Sequence, residues 1–99
     1  MKQFQVYRNP TDASRLFAPY LVVLQSHYLS LDTVLVAPLV NDKRASSVEI
    51  AGTVGERPLV VALTEMGSVR AAMLSEAVAD LAAQEDEIRR ALDRLFTGF

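Results

Sequence analysis

The chain has no cysteine, which excludes disulfide staples, thiolate zinc sites and cysteine nucleophiles together. It has a single histidine, His27, too few imidazoles for a histidine-built metal centre. Its four glycines, at positions 52, 55, 67 and 98, match neither nucleotide-binding fingerprint, so no phosphate-cradling loop is expected. No apolar run approaches the length of about eighteen residues that a membrane span needs. The opening Met1-Lys2-Gln3-Phe4-Gln5 lacks the charged-then-apolar layout of a secretory signal. The expectation is a soluble, cytoplasmic protein. An excess of positive charge is missing too: ten Lys and Arg stand against twelve Asp and Glu, for a net charge of -2. That balance argues against binding nucleic acid through counterion release. Such binding would need a local basic patch, for which Lys43, Arg44, Arg57 and Arg70 are the candidates.

What is present is a core. Apolar residues make up 51% of the 99 positions, which places the chain, residues 1–99, as one folded domain. A domain of this size hides only about 60 to 65% of the surface its unfolded chain exposes. The surplus of apolar side chains therefore points to a partner subunit.

The first three quarters read as short strands. Gln3 to Tyr7 alternates polar and apolar residues, as a half-buried strand does, until Asn9-Pro10-Thr11-Asp12 breaks it. Tyr20 to Leu24 is a valine-rich apolar run, read as a strand buried on both faces. Val34 to Leu39 is similar, with Pro38 marking an edge or the end of pairing. Val48 to Val54 and Leu59 to Leu63 form a hairpin around Gly55-Glu56. Val69 to Leu74 is read as a last strand of weak β-propensity. From Leu81 the period changes to the stripe of an amphipathic helix through Ile88, Ala91, Leu92, Leu95 and Phe96. Asp80 or Ser75 offers an N-cap. Glu85, Asp86 and Glu87 near its start and Arg89, Arg90 and Arg94 toward its end suit the macrodipole, with i, i+4 pairs from Glu85 to Arg89 and Asp86 to Arg90. Gly98 ends it. The pattern is α+β: a small barrel of antiparallel strands with a C-terminal helix.

Catalytic chemistry finds little support in these residues. Ser26 and His27 are adjacent in an extended segment and point to opposite faces, so neither can serve the other as nucleophile and base with Asp32. The run Glu85-Asp86-Glu87 reads as a solvated first turn rather than a cation site. The tail carries more information. Phe96 and Phe99 either close the core or form an exposed anchor, in which an apolar plug, a turning glycine and a free carboxylate meet a partner. The residues say interaction module before enzyme.

Several segments, in order and spacing, resemble the CcdB toxins of bacterial toxin-antitoxin modules. They are Gln3-Phe4-Gln5-Val6-Tyr7, Leu24-Gln25-Ser26, Ala37-Pro38-Leu39, Leu63-Thr64-Glu65-Met66-Gly67-Ser68-Val69, Val78-Ala79-Asp80-Leu81 and Phe96-Thr97-Gly98-Phe99. The resemblance implies a homodimer of SH3-like barrels of five or more antiparallel strands, each with a C-terminal helix. It implies a non-enzymatic poison that enters between the two A subunits of DNA gyrase and holds the enzyme with its DNA cut. It further implies neutralisation by a CcdA-like antitoxin, transcription autoregulation, a role in plasmid maintenance, and no cofactor or direct nucleic-acid contact. Carried over by position, the gyrase-facing set is Tyr28, Leu29, Asp93, Phe96, Thr97, Gly98 and Phe99. The chain departs from the best-known family pattern in having Thr97 where that pattern has Trp, His27 where it has Asp, and Asp93 where it has Asn. It also has Phe99 in place of a smaller aliphatic residue and a shorter segment around Asn41 to Val54. Two alternatives stand beside gyrase poisoning. One is a MazF-like endoribonuclease, for which Arg70 with Thr64 or Glu65 is the candidate set, and the other is an inactive relative that only binds antitoxin.

Overall fold

A computed structural model describes residues 2–26, 32–41 and 44–98. Seven strands and one helix follow in chain order: β1 (Gln5–Arg8), β2 (Tyr20–Val23), β3 (Thr33–Val40), β4 (Glu49–Val54), β5 (Arg57–Ala62), β6 (Gly67–Arg70), β7 (Ala77–Asp80) and α1 (Glu85–Thr97). All pairings are antiparallel. The strands form one curled half-barrel in the order β4-β5-β3-β2-β1-β7, with β6 joined to β3 beside β5.

β3 organises this sheet. Its eight residues are long enough to take β2 along one side and to divide the other side between two partners. β6 pairs with Thr33 to Val36, and β5 pairs with Leu39 and Val40. Pro38 lies between these partners and opposite Leu21 of β2. The Leu24 N–H donates to the Leu35 carbonyl, and alternation from that pair leaves Pro38 at a position that needs no bond to β2. The imide nitrogen therefore faces the gap between β5 and β6. Pro38 marks a break on one side of a central strand, not the edge or end that the sequence suggests.

The central strands bury both faces. Val6, Val22, Ala37 and Leu39 point toward the helix and join Ile50, Leu59, Val61, Leu63, Ile88 and Ala91 in the main core. Tyr7, Leu21, Val23, Val34 and Val36 point the other way, into a smaller cluster closed by Leu74. The period of two that separates the clusters along each strand is the one read from the sequence. The hairpin between β4 and β5 is also as expected. Val54 pairs with Arg57 across two residues, and Gly55 alone takes positive φ, at 62°, as a turn with glycine at its first central position requires.

Three expectations shift. The strand expected over Val69 to Leu74 is instead β6 followed by a 3-10 turn at Ala71–Met73, in keeping with the weak strand preference of its alanines. β7 is a strand that the sequence pattern does not announce, and it pairs with β1. The helix begins at Glu85, after a 3-10 turn at Ala82–Gln84. Asp80 stands one residue before the N-cap of that turn, Leu81, and its Oδ1 accepts from the Ala82 N–H at 2.7 Å. Glu85 pairs with Arg89 at 2.9 Å as expected. Phe4, just ahead of β1, is the one non-glycine described residue with positive φ, at 68°. It is held from both sides: its N–H donates to the Val23 carbonyl and its carbonyl accepts from the Leu81 N–H.

Candidate functional site

The helix end is built in two parts. Ile88 and Ala91 are fully buried, with Leu92 and Leu95 packed against the same core. One turn later the apolar stripe and the core part company. Phe96 is 70% exposed, so of the two readings of this aromatic the structure supports the exposed one. At about 100° per residue, Asp93, Phe96 and Thr97 fall on one flank of α1, and all three are exposed. The Thr97 hydroxyl donates to the Asp93 carbonyl at 2.6 Å, and the Gly98 N–H donates to the Arg94 carbonyl at 3.0 Å. Gly98 is left-handed, with φ 81°, the conformation that ends a helix and turns the chain away from its axis. Arg94 ties the last turn down by donating from Nε to the Ser47 carbonyl at 2.9 Å. The result is a fixed helix end that presents an aromatic ring and a carboxylate to solvent.

Four of the seven candidate contact residues, Asp93, Phe96, Thr97 and Gly98, thus lie together on this tip. Tyr28, Leu29 and Phe99 lie outside the described residues, as does His27. Among the described residues no group of three or more His, Asp or Glu side chains is arranged to hold a metal ion. Glu87 instead accepts a hydrogen bond from Gln84. The candidate ribonuclease set is not drawn together by the backbone. Thr64 and Glu65 lie in the 3-10 turn before β6, and Arg70 is the last residue of that strand, so the length of β6, about 13 Å, lies between them. The candidate basic patch is divided as well. Arg70 sits opposite Thr33, whereas β5 meets β3 at Val40, about 23 Å away along β3, and Arg57 lies beyond that end. Lys43 is outside the described residues.

Arg57 has other company. It shares an open cleft of about 470 Å³ with Arg8 and Arg15, together with Asp12, Leu16, Pro19 and Tyr20. Beside the cleft the 11–17 loop forms a ridge whose tip, Leu16 and Phe17, is 83% and 75% exposed. The ridge is anchored by Asn9, which is only 5% exposed. Its side-chain amide donates to the Ala18 carbonyl and to the Ser14 hydroxyl, and its Oδ1 accepts from the Thr11 N–H. Asn41 holds the tip, accepting Arg57 on its Oδ1 and donating to the carbonyls of Leu16 and Phe17. The three arginines come from β1, the ridge and β5, so no local motif in the sequence announces them. The Asn9 turn is the one part of this arrangement with a local signal.

On the far side of the ridge runs an apolar groove of about 400 Å³, lined among others by Phe17, Leu21, Val36, Pro38, Val40 and Val69. Among titratable groups, burial raises the Tyr7 phenol above its ordinary value of 10.0. Its hydroxyl donates to Gln5.

The family model described as CcdB protein matches residues 3–98. A search of curated protein sequences finds no match. Solved structures with the same fold include a Mycobacterium tuberculosis toxin, MazF-mt6, at 19% identity and a TM-score of 0.74, covering 96% of each chain. An endoribonuclease from a mycobacterial species, in complex with its cognate antitoxin, aligns at 16% identity and a TM-score of 0.76 over 94% of this chain and 91% of its own. A further Mtb toxin aligns at 22% identity and a TM-score of 0.70, over 78% of this chain and 91% of its own.

Proposed function

The chain belongs to the CcdB protein family, and on that premise we propose that it is the toxin of a toxin-antitoxin module and a poison of DNA gyrase. In this reading it acts in the cytoplasm as a homodimer, binds the gyrase A subunit and holds the enzyme with its DNA strands cut. It carries out no covalent step of its own. Asp93, Phe96, Thr97 and Gly98 form the described part of the contact, and Tyr28, Leu29 and Phe99 complete it by family position.

The observation that carries this reading is Phe96, an aromatic side chain left 70% exposed on a helix end that tertiary contacts hold still. Burying such a ring against a partner contributes about 1.5 to 3 kcal/mol, and a tip already fixed loses little entropy on binding. A dimer presents the tip twice, which suits a two-fold target. The apolar groove beside Phe17 supports a subunit seam, since it offers the surplus apolar surface a place to be covered. An antitoxin partner is supported by the structural relative that is in complex with its own cognate antitoxin.

Purified protein incubated with gyrase and plasmid is expected to trap cleaved DNA. Unhindered supercoiling with no cleaved complex at high protein concentration would reject the target. A parallel incubation with RNA, comparing the wild type with Arg70→Ala, separates this reading from the ribonuclease alternative. Arg70-dependent cleavage of RNA would favour the latter.

A further inference from the structure

We propose that Arg94 and the Ser46–Glu49 turn are a positioning pair for the helix tip: they fix its direction before a target arrives, and so set affinity without touching the target. The inference rests on the contact at Phe96 proposed above and adds to it a control point remote in sequence.

The turn is built to present one carbonyl. The Ser46 N–H donates to the Glu49 carbonyl at 2.7 Å, and the Glu49 N–H returns to the Ser46 carbonyl at 3.4 Å, which closes a turn over Ser47 and Val48. The Ser46 hydroxyl braces it, accepting from the Val48 N–H at 3.3 Å and donating to the Glu49 carboxylate at 3.0 Å. The Ser47 carbonyl, at the first corner, is thereby fixed in direction. Arg94 donates to it from Nε at 2.9 Å, across 47 positions of sequence.

The two ends of α1 depend on outside support to different degrees. At the start, Gln84 in the preceding turn donates to the Ala51 carbonyl at 2.6 Å, and Ile88 and Ala91 are fully buried. Beyond Leu95 every described residue is exposed. Among the described residues, the bond to Ser47 is the sole hydrogen bond joining residues 93–98 to another part of the fold. The bonds of Thr97 and Gly98 stay within the helix end, so they hold its shape and not its direction. Helix ends fray, and local openings of this kind cost little where few contacts oppose them.

The same bond stands clear of the target. At about 100° per residue, Arg94 lies about 160° around the axis from Phe96, so a partner seated on the Phe96 flank leaves the bond to Ser47 intact. A side chain already held in place does not have to be ordered on binding.

The test compares Arg94→Met with Arg94→Gln in the full chain. Both remove the charge, but Gln sets an amide N–H where Nε stands, whereas Met has no donor. By calorimetry with purified gyrase A subunit, Arg94→Met is expected to bind about tenfold more weakly, since a loose tip must be ordered on binding, and Arg94→Gln to recover most of that loss. Ser46→Ala is expected to weaken binding about threefold and to add nothing to Arg94→Met in the double variant, because both act through one bond. Hydrogen exchange, which needs no target, is expected to quicken about fivefold at the Phe96 and Thr97 amides in Arg94→Met and to stay unchanged at Ile88. Equal losses in the Met and Gln variants would assign Arg94 a direct charge contact and overturn the proposal. Additive losses in the double variant, or unchanged exchange at the tip, would overturn it too. Wild-type protein that fails to bind the gyrase A subunit while exchange responds as expected would reject gyrase as the target and uphold the anchor.

Discussion

The three most exposed large apolar side chains among the described residues, Leu16, Phe17 and Phe96, stand at two places and are secured differently. The helix tip at Phe96 is held mainly by local means, a backbone cap at Gly98 and a bond from Thr97 to the preceding turn, with a single long-range reach from Arg94 to the Ser47 carbonyl. The ridge at Leu16 and Phe17 is held by long-range means, through Asn9 beneath it and Asn41 across it. The difference teaches that exposure alone does not tell whether a site can be altered without harming the fold. The tip lies past the last buried turn of α1, so the domain keeps its core without it. The ridge is part of how β1 and β2 are joined, so its anchor belongs to the fold as much as to any surface function.

In order of effect on stability, Asn9→Ala tests this contrast most severely. It leaves the Ala18 carbonyl and the Thr11 N–H without their partner, and the expected loss is about 2 to 3 kcal/mol. Thermal denaturation should show a fall of about 8 °C or more for a domain of this size. A melting temperature close to wild type would break the contrast at its firmer end. Gly98→Ala is expected to cost about 1 kcal/mol, because a side chain is placed in a left-handed position, and to weaken gyrase trapping by redirecting the tail. Retained trapping would show that the path of the chain after the helix does not matter. Deleting residues 97–99 removes only exposed or terminal groups, so the expected stability change is under about 1 kcal/mol. Folding and dimerisation should persist, as read by circular dichroism and light scattering, while toxicity in cells is lost. Toxicity that survives the deletion would take the tail out of the mechanism. The smallest effect is one of pH. Burial raises the Tyr7 phenol in the folded state, so the stability linked to its neutral form is complete below the ordinary value of 10.0 and is lost as pH rises through the folded value. Tyr7→Phe should flatten the alkaline limb of a stability profile.

The same division between local and long-range causes decides what the sequence makes legible. The alternation in β1, the doubly buried β2, the hairpin at Gly55 and the stop at Gly98 are local patterns, and each is found where it is expected. β7 is a strand only because β1 offers it a partner: Ala77-Val78-Ala79-Asp80 has no strong strand signal of its own. The delayed start of α1 has a similar cause, since the Leu81 N–H is taken by the Phe4 carbonyl and the chain turns once before the helix begins. The tip residues Asp93, Phe96 and Thr97 could be placed on one flank from helical spacing alone. Whether Phe96 faced the core depended on where the sheet ends beneath it, which no local pattern records. The grouping of Arg57 with Arg8 and Arg15, rather than with Arg70, likewise depends on strand order.

The backbone at Phe4 ties together segments that are made far apart in time. A left-handed conformation on a bulky residue is unfavourable by about 1 to 3 kcal/mol, and it is retained here because Val23 and Leu81 each bond to that residue. Leu81, the second of these partners, is translated long after Phe4. At about 5 to 20 residues per second, the interval is roughly 4 to 15 s. Until then β1 lacks one neighbour and the helix that carries Phe96 does not exist, so a nascent chain has no tip to present.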